Sequence, residues 1–410
     1  MTHHVEKAIV IGAGVVGVAT AYALARRGVA VTIVDARENA GLGTSFANGG
    51  QLSYLYTGPL ANHRVRGELL QLALGLKPEF RIRLHTDPDF IRWILSFLRN
   101  CTRDRYIRNN QAALEVTLES RLAMLNLLQK HELDFDYQVR GKLQLLYSKK
   151  AVSAVEENFT LKNMSDEDMR LISYEEATKL EPALGYAADK PMKALFTPGE
   201  AVGNASRFAQ ELLKLLVNEY GVETFFGERV VHAALHSSGA DIRLADGRRL
   251  DTDLLALCTG ADRQLLKELK LDLPVYPMKG YSITAPLGDH PPEISLTDSK
   301  RRLVFSKLGN EMRIAGMADI GWTHEEPDKG RLRTLVNAAI ESMPEAASYE
   351  RATNFWAGLR PMTPDSVPRM GHPHPALIYN VGHGMLGWTM AMGSGERVAG
   401  YLKGQIEEED

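Results

Sequence analysis

The stretch from Lys7 to Asp35 constrains the fold more than any other part of the chain. Ala8-Ile-Val-Ile11 is a short apolar run of the kind that forms a buried parallel strand. Gly12, Gly14 and Gly17 follow in a Gly-x-Gly-x-x-Gly pattern. Gly12 permits a tight turn, Gly14 leaves room for a pyrophosphate against the backbone, and Gly17 lets the next helix pack on the strand. Ala19 to Ala25 favours helix, Gly28 ends it, and Val31 to Val34 forms a second strand. Asp35 comes 18 residues after Gly17, where a carboxylate accepts a hydrogen bond from a ribose hydroxyl. A merely structural glycine turn is the alternative, but it leaves the flanking strand, helix and acid unexplained. The pattern predicts a Rossmann-type unit with the pyrophosphate on the helix N-terminus, whose free N–H groups and dipole favour anions. The unit opens the chain and its fingerprint is not repeated, a placement that favours a flavin over a nicotinamide dinucleotide.

Residues 41 to 54 (Gly-Leu-Gly-Thr-Ser-Phe-Ala-Asn-Gly-Gly-Gln-Leu-Ser-Tyr) are dense in small and hydrogen-bonding residues and lack apolar periodicity. Such a segment is either a flexible loop or one that passes close to a planar ligand, with backbone groups bonding the ring edges. Beside a Rossmann unit the second reading is favoured.

The chain has 410 residues, enough for two or three domains, with the apolar and charged balance of a soluble globular protein. A formal net charge of −3 does not favour a nucleic-acid partner. Cys101 and Cys258 alone build neither a disulfide framework nor a zinc site, and no metal site is expected. No secretory leader and no run of ~20 apolar residues is visible. These features predict a cytoplasmic protein, soluble or peripheral.

Residues 60 to 135 read as largely helical, with an apolar stripe through Leu114, Leu118, Leu122, Leu125 and Leu128. Between Arg64 and Arg108 ten Lys or Arg stand against five Asp or Glu, with Trp93, Phe97 and Leu98 interleaved. This is either a solvated helix face or a basic, partly apolar surface that rests weakly on anionic lipid. Lys142 to Tyr147 reads as a strand, and Ser153–Asn163, Ser173–Leu180 and Ala205–Val217 read as helices. Ser173 and Glu176 fit a capping box. Gly221–Phe226 and Arg229–Leu235 read as strands, and Asp241–Leu250 as a hairpin around Asp246-Gly247. Asp253 to Ala261 reads as a buried strand ending in small residues, where it would meet the same dinucleotide at the carboxyl edge of the sheet. A second block of strands begins at Pro274, Asp328–Met343 is helical, and Gly393 onward closes on a helix. The acidic tail Glu407–Asp410 is expected to be disordered. No internal repeat or low-complexity linker is present.

Four blocks resemble the bacterial D-amino-acid dehydrogenase small-subunit family, within the D-amino-acid oxidase and glycine oxidase superfamily. They are Gly12 to Gly17; Thr44 to Gln51; Pro277-Met-Lys-Gly-Tyr-Ser282; and Gly358-Leu-Arg-Pro-Met-Thr-Pro-Asp365 with Gly382-His-Gly-Met-Leu-Gly-Trp-Thr389. The first is generic and the others are specific. The chain departs from the family at Asn204-Ala-Ser-Arg207-Phe208, at Gly49 (Ala expected) and at Met385 (Thr expected). The resemblance implies an α/β fold with a discontinuous Rossmann-type FAD-binding domain (1–58, 198–272 and 352–410). A mixed-sheet and helical substrate domain (59–197 and 273–351) completes it. It also implies oxidation of a D-amino acid to an imino acid, with electrons passed to a quinone or other non-oxygen carrier. D-Proline or 4-hydroxy-D-proline dehydrogenation and an oxygen-using amine oxidase are the alternatives. A non-catalytic subunit of a larger dehydrogenase would need no carboxylate clamp.

The residues expected against FAD begin with Gly12, Gly14, Val15, Val16 and Gly17 at the first turn and Asp35, Ala36 and Arg37 after the second strand. Thr44, Ser45, Asn48, Gly49, Gly50, Gln51 and Leu52 follow in the small-residue loop, then Val230, Thr259 and Gly260. Gly384, Met385, Leu386, Gly387 and Thr389 complete the set. Backbone N–H groups of residues 382–387 would face the flavin pyrimidine, where negative charge grows on reduction. A substrate carboxylate needs a planar two-donor partner, which Arg supplies better than Lys. The resemblance puts that role on Arg360; a surface ion pair is the alternative. Tyr54, Tyr56 and Tyr281 are candidates for its second partner or a lid, with core packing an equal alternative for each. His383 either lines the substrate pocket or satisfies its own loop.

Overall fold

The computed structural model describes residues 4–65, 79–162 and 164–403. The first fourteen strands are β1 (Lys7–Ile11), β2 (Ala30–Asp35), β3 (Gln51–Leu52), β4 (Phe80–Ile82), β5 (Gln138–Val139), β6 (Lys142–Leu146), β7 (Arg170–Ile172), β8 (Lys193–Thr197), β9 (Ala201–Val202), β10 (Glu223–Phe226), β11 (Val230–His236), β12 (Gly239–Leu244), β13 (Arg249–Thr252) and β14 (Leu254–Leu257). β15 (Tyr276–Pro286), β16 (Ser295–Asp298), β17 (Leu303–Leu308), β18 (Glu311–Ile320), β19 (Thr353–Met362), β20 (Arg369–His374) and β21 (Leu377–Val381) complete the sheets. The helices are α1 (Val15–Ala25), α2 (Pro88–Asn100), α3 (Arg103–Lys130), α4 (Lys149–Lys162), α5 (Tyr174–Leu180), α6 (Ala205–Tyr220), α7 (Gln264–Glu268), α8 (Lys329–Ser342) and α9 (Gly387–Gly400).

The apolar runs that open the chain and precede Cys258 become the centre of a six-stranded sheet, ordered β10-β2-β1-β14-β21-β20. Its first five strands pair in parallel, and β20 runs antiparallel to β21. Parallel strands buried on both faces need continuous apolar sequence, and Leu254 to Leu257 are each 0% exposed. Three helices cover one face through close backbone contacts. A Cβ at Gly395 of α9 would lie 2.8 Å from Ala19 O of α1, and one at Gly393 would lie 2.5 Å from Ser120 N of α3. Two small residues thus let α9 sit between α1 and α3.

The second layer is a nine-stranded mixed sheet, β19-β15-β18-β17-β16-β6-β8-β7, with β4 added beside β18. Its strands alternate: Leu143, Leu145, Ile283, Leu296, Phe305 and Ile314 face a core closed by α8, while the opposite face lines a large cavity. Two small sheets, β11-β12-β13 and β3-β9-β5, complete the fold.

Most predicted elements form close to their expected bounds, and the Ser173–Glu176 capping box has both its hydrogen bonds. Two features differ. Residues 80–82, expected within a helical region, form β4 parallel to β18, anchored by Ala318 N–H to Glu79 O (2.9 Å) and Arg83 N–H to Ile320 O (2.9 Å). That pairing spans more than 200 residues, so local periodicity carries no trace of it. Residues 353–362, expected with the FAD-binding part, instead form the β19 edge of the nine-stranded sheet. The acidic tail lies outside the described residues, as do Arg66, Glu68 and Lys77 of the basic stretch.

Candidate active site

At one end of the cavity the glycine turn leaves β1. Gly12 has φ +105°, and a Cβ there would fall 2.4 Å from Cys258 O. A Cβ on Gly17 would fall 1.7 Å from Gly12 O, so the start of α1 sits directly on the turn. Gly17 therefore packs the turn and does not line the cavity, whereas Gly12, Gly14, Val15 and Val16 do. The Asp35 carboxylate accepts from Ala13 N–H (2.6 Å) and Arg37 N–H (2.8 Å), which ties the turn to the end of β2. A carboxylate has about four lone-pair sites, so capacity for a ribose hydroxyl remains. Asp35, Ala36, Arg37, Val230, Thr259 and Gly260 all line this end.

The small-residue loop is held rather than free. Ser45 Oγ accepts from Val15 N–H (3.2 Å), and Thr44 donates to Leu359 O (2.8 Å). From the nine-stranded sheet, Ser282 donates to Ala47 O (2.6 Å), Arg313 to Asn48 O (3.0 Å) and Ser306 to Gly49 O (2.7 Å). Asn48 accepts from Gly50 N–H (3.0 Å), and the Gln51 amide donates to Ser295 Oγ (2.6 Å). Thr44, Ser45 and Asn48 to Gln51 line the cavity. Gly49 faces β17, where a Cβ would lie 2.9 Å from Val304 Cγ2.

Two expected residues are placed elsewhere. Leu52 is 0% exposed in β3, paired with Ala201 and packed in the core under the six-stranded sheet. Tyr54 joins the same core, its N–H donating to Glu200 (2.6 Å) and its carbonyl accepting from Thr117 (2.6 Å). Neither lines the cavity. The short β3–β9 pairing turns Leu52 inward, while Ser53, Leu55 and Tyr56 stand at the wall.

The opposite wall is the C-terminal glycine loop. Gly382 (φ +80°) and Gly384 (φ +56°) turn the chain from β21 into α9, and His383 to Thr389 line the cavity. The N-termini of α1 and α9 both open at the cavity without a side-chain cap. Apart from Val15 N–H, which Ser45 takes, their first-turn N–H groups and dipoles present two positive ends to whatever binds there. Thr389 Oγ1 accepts from Ser53 N–H (3.1 Å). His383 is 4% exposed, with Nε2 3.0 Å from Ser394 Oγ. The Ser394 hydroxyl donates to Ala391 O (3.1 Å), so its lone pairs are left for Asn380 Nδ2 and the His383 Nε2–H. Burial pushes the imidazole pKa down to about 3, so His383 is neutral at physiological pH.

On the nine-stranded sheet, Arg360 of β19 lies across Gly280 of β15, where a Cβ would be 2.4 Å from Arg360 Cζ. Its single hydrogen bond among the described residues is from Nη1 to Met317 O (3.0 Å), and no carboxylate lies within ion-pair distance of it. Desolvation lowers its pKa to about 10, opposed by the field of Asp319. Asp319 is 0% exposed and already held by Arg81 (2.7 Å), Arg331 (2.7 Å) and the Tyr281 hydroxyl (2.8 Å). The Tyr281 hydroxyl is thus committed to Asp319, and the residue contributes ring wall to the cavity. Tyr56, Lys142 and Lys162 stand elsewhere on the wall. Sequence reasoning missed the two lysines and Asp319. The one signal was polar alternation, Lys142 and Gln144, within an otherwise apolar strand.

The cavity measures about 1510 Å³, above the ~300–1,000 Å³ of ordinary small-molecule pockets, and runs from the glycine turn to Arg360. A cradle that a Cβ would fill, a carboxylate at the ribose position and two uncapped helix N-termini fit an extended dinucleotide. Fold and cavity together are those of a dinucleotide-dependent oxidoreductase. The chain belongs to the FAD dependent oxidoreductase (DAO) family, whose model matches residues 7–401, and FAD is that family's cofactor. It is 38% identical over 413 residues to a D-amino acid dehydrogenase of Paramagnetospirillum magneticum, covering 97% of this chain and 95% of that protein. It is 33% identical over 409 residues to one of Neisseria meningitidis, covering 98% and 97%. Glycine oxidase from Geobacillus kaustophilus shares the fold, with a TM-score of 0.74 at 21% identity over 100% of this chain and 96% of that one.

Proposed function

We propose that this protein catalyses FAD-dependent oxidative deamination of D-amino acids and passes the electrons to a quinone or another non-oxygen carrier. The observation that carries this reading is Arg360, a desolvated guanidinium on the cavity wall with no carboxylate among the described residues within ion-pair distance. A substrate α-carboxylate supplies the missing charge, and the planar fork orients it. The full-length relatives named D-amino acid dehydrogenase support the substrate class.

Arg360 holds the carboxylate, and with it the direction in which Cα–H points. The Met317 carbonyl and the bare backbone of Gly280 keep Arg360 in place. The flavin, when bound, accepts the hydride; the protein supplies orientation and charge. The N-terminus of α9 offers fixed positive potential to the reduced ring, a preorganised dipole that needs no rearrangement. Neutral His383 adds no opposing or competing charge there. Residues 1–58, 198–272 and 363–410 would carry the cofactor, with the remainder, including β19, over the substrate.

A membrane-side acceptor is part of the proposal. Leu84, which lines the cavity, is 80% exposed, and Ile91 and Leu95 of α2 are 47% and 49% exposed. Arg92 and Arg99 lie on the same helix. An apolar and basic edge of this kind suits weak contact with anionic lipid, where quinones reside. Trp93, however, points inward and donates to Met362 O (2.9 Å). No helix among the described residues is long and apolar enough to cross a membrane.

Dye reduction by the purified holoenzyme against paired D- and L-amino acids, with D-proline and 4-hydroxy-D-proline included, tests the activity. Faster reduction by the D-forms is expected. Turnover of only L-forms, or of none, overturns it. Peroxide released as fast as dye is reduced would make the protein an oxidase.

A further inference from the structure

Beyond Arg360, the cavity holds a second set of cations. Lys142 of β6 is 3% exposed, and Lys162 ends α4. Both line the cavity, as does Arg302. Among the described residues no carboxylate lies within ion-pair distance of any of the three. Lys142 Nζ donates to Ser53 Oγ (3.0 Å) and sits 3.8 Å from the centre of the Tyr56 ring. Lys162 Nζ donates to Leu55 O. An ammonium has three donors, so both keep donors unused. The nearest buried acid is Glu200, whose field acts on both lysines. Its two oxygens accept the Tyr54 and Leu55 N–H groups at 2.6 and 2.8 Å.

Two desolvated ammoniums against one carboxylate leave one positive charge unbalanced. Isolated buried charge is costly, and proteins retain it where something else completes the pair. Desolvation has already drawn both lysine pKa values down to about 8, a penalty that a bound anion would reverse. Leu55, Leu146, Met169 and Leu195 line the cavity beside these lysines, a wall suited to methylene groups. Ser53 joins the lysines to the reacting end: its hydroxyl accepts from Lys142 and its N–H donates to Thr389 at the start of α9.

We propose that Lys142 and Lys162 form a second anion subsite in the cavity that Arg360 serves, so that the preferred substrates are D-amino acids whose side chain ends in a carboxylate. The substrate class rests on the deamination reading above; the subsite rests on the lysine geometry alone. Arg360 reads the α-carboxylate and the lysine pair reads the distal one. D-Amino acids with neutral or basic side chains leave the surplus charge in place and bind less well.

The test has a binding arm that needs no turnover. Glutarate and valerate, which differ by one terminal carboxylate, are titrated into the holoenzyme, followed by the visible flavin spectrum and by calorimetry. Glutarate is expected to bind at least about tenfold more tightly, a difference of ~1.4 kcal/mol. Lys142→Met and Lys162→Met, each checked for wild-type flavin content, should each bring the glutarate-to-valerate ratio close to one. In the kinetic arm, kcat/KM for D-glutamate should exceed that for D-glutamine by a similar factor, and the same substitutions should erase the preference. Equal affinities for the two acids overturn the subsite. So does a Lys142→Met effect that falls equally on D-alanine and D-glutamate, which would mark a general role in turnover. If no D-amino acid is oxidised, the deamination reading fails, while the glutarate comparison still decides the subsite.

Discussion

A guanidinium laid over a bare glycine is a geometry that single substitutions can probe. Arg360→Ala should cost about 2–5 kcal/mol of transition-state stabilisation, the usual cost of removing one partner of a buried charge pair. That is roughly a 30- to 5,000-fold fall in kcat/KM at 1.36 kcal/mol per decade, and Arg360→Lys should recover only part of it. Gly280→Ala, whose methyl would need the space Arg360 Cζ occupies at 2.4 Å, should raise KM with flavin still bound. Wild-type kinetics in all three would make Arg360 structural. The two tyrosines separate by their hydroxyls. Tyr281→Phe removes a hydrogen bond to buried Asp319 and should lower stability by about 1.5–3 kcal/mol. Among the described residues the Tyr54 hydroxyl has no hydrogen-bond partner, and it lies off the cavity, so Tyr54→Phe should leave activity unchanged and hold or raise the urea midpoint. His383 gives a pH signature. Its pKa falls from 6.5 to about 3 on folding, so between those values the unfolded chain binds more protons and stability drops as pH falls. Between pH 7 and 5 wild type should lose roughly 2 kcal/mol more than His383→Gln, at 1.36 kcal/mol per pH unit per proton; parallel urea curves would place the proton elsewhere.

At the scale of elements, α2 is the piece whose two faces do different work. Phe90 and Trp93 bury against Tyr276, Met278 and Met362, while Ile91 and Leu95 face out. Replacing Leu84, Ile91 and Leu95 with Ser, Gln and Gln should leave the fold intact and abolish co-sedimentation with anionic vesicles. Wild-type binding should weaken between 0.1 and 1 M salt, as the Debye length falls from ~10 Å to ~3 Å. Equal sedimentation of wild type with neutral and anionic vesicles would reduce α2 to an ordinary surface helix. The basic stretch as a whole is less free than its charge implies. Arg64 and Arg103 pair with Glu157, Arg81 with Asp319 and Asp328, and Arg92 with Asp89 and Asp272. The Arg64–Arg108 charge surplus in the sequence therefore overstates the field available to a membrane.

For the whole molecule, the cavity runs between the two large sheets, so its ligand bridges them. FAD that binds only the folded protein should stabilise it by about 2.7 kcal/mol at a hundredfold excess over Kd. The apoprotein should accordingly melt lower, and added FAD should restore the melting temperature in a concentration-dependent way. Gly14→Val, which puts methyls in the phosphate cradle, should melt like the apoprotein, stay colourless and ignore added FAD. A Gly14→Val protein that is yellow and as stable as wild type would place the pyrophosphate elsewhere.

Local chemistry was legible in the residue order wherever one element sufficed. The βαβ turn, the Ser173–Glu176 box, the Asp246-Gly247 hairpin and the two glycine loops are each decided by neighbours within a few positions. Arg360 was singled out by family resemblance rather than by its neighbours, and its desolvated place over Gly280 depends on the β15–β19 pairing. What remained hidden depends on contacts between distant segments. β4 exists because β18 offers an open edge more than 200 residues away, and β19 belongs to the nine-stranded sheet because β15 is its partner. Leu52 turns inward because β9 pairs with β3, and Tyr54 because Glu200 and Thr117 hold its backbone, which no periodicity in residues 41–54 encodes. The charge balance at Lys142, Lys162, Glu200 and Asp319 appears only when strands from across the chain remove them together from water. Burial and pairing are properties of that assembly, and they set which of these charges are left for a substrate.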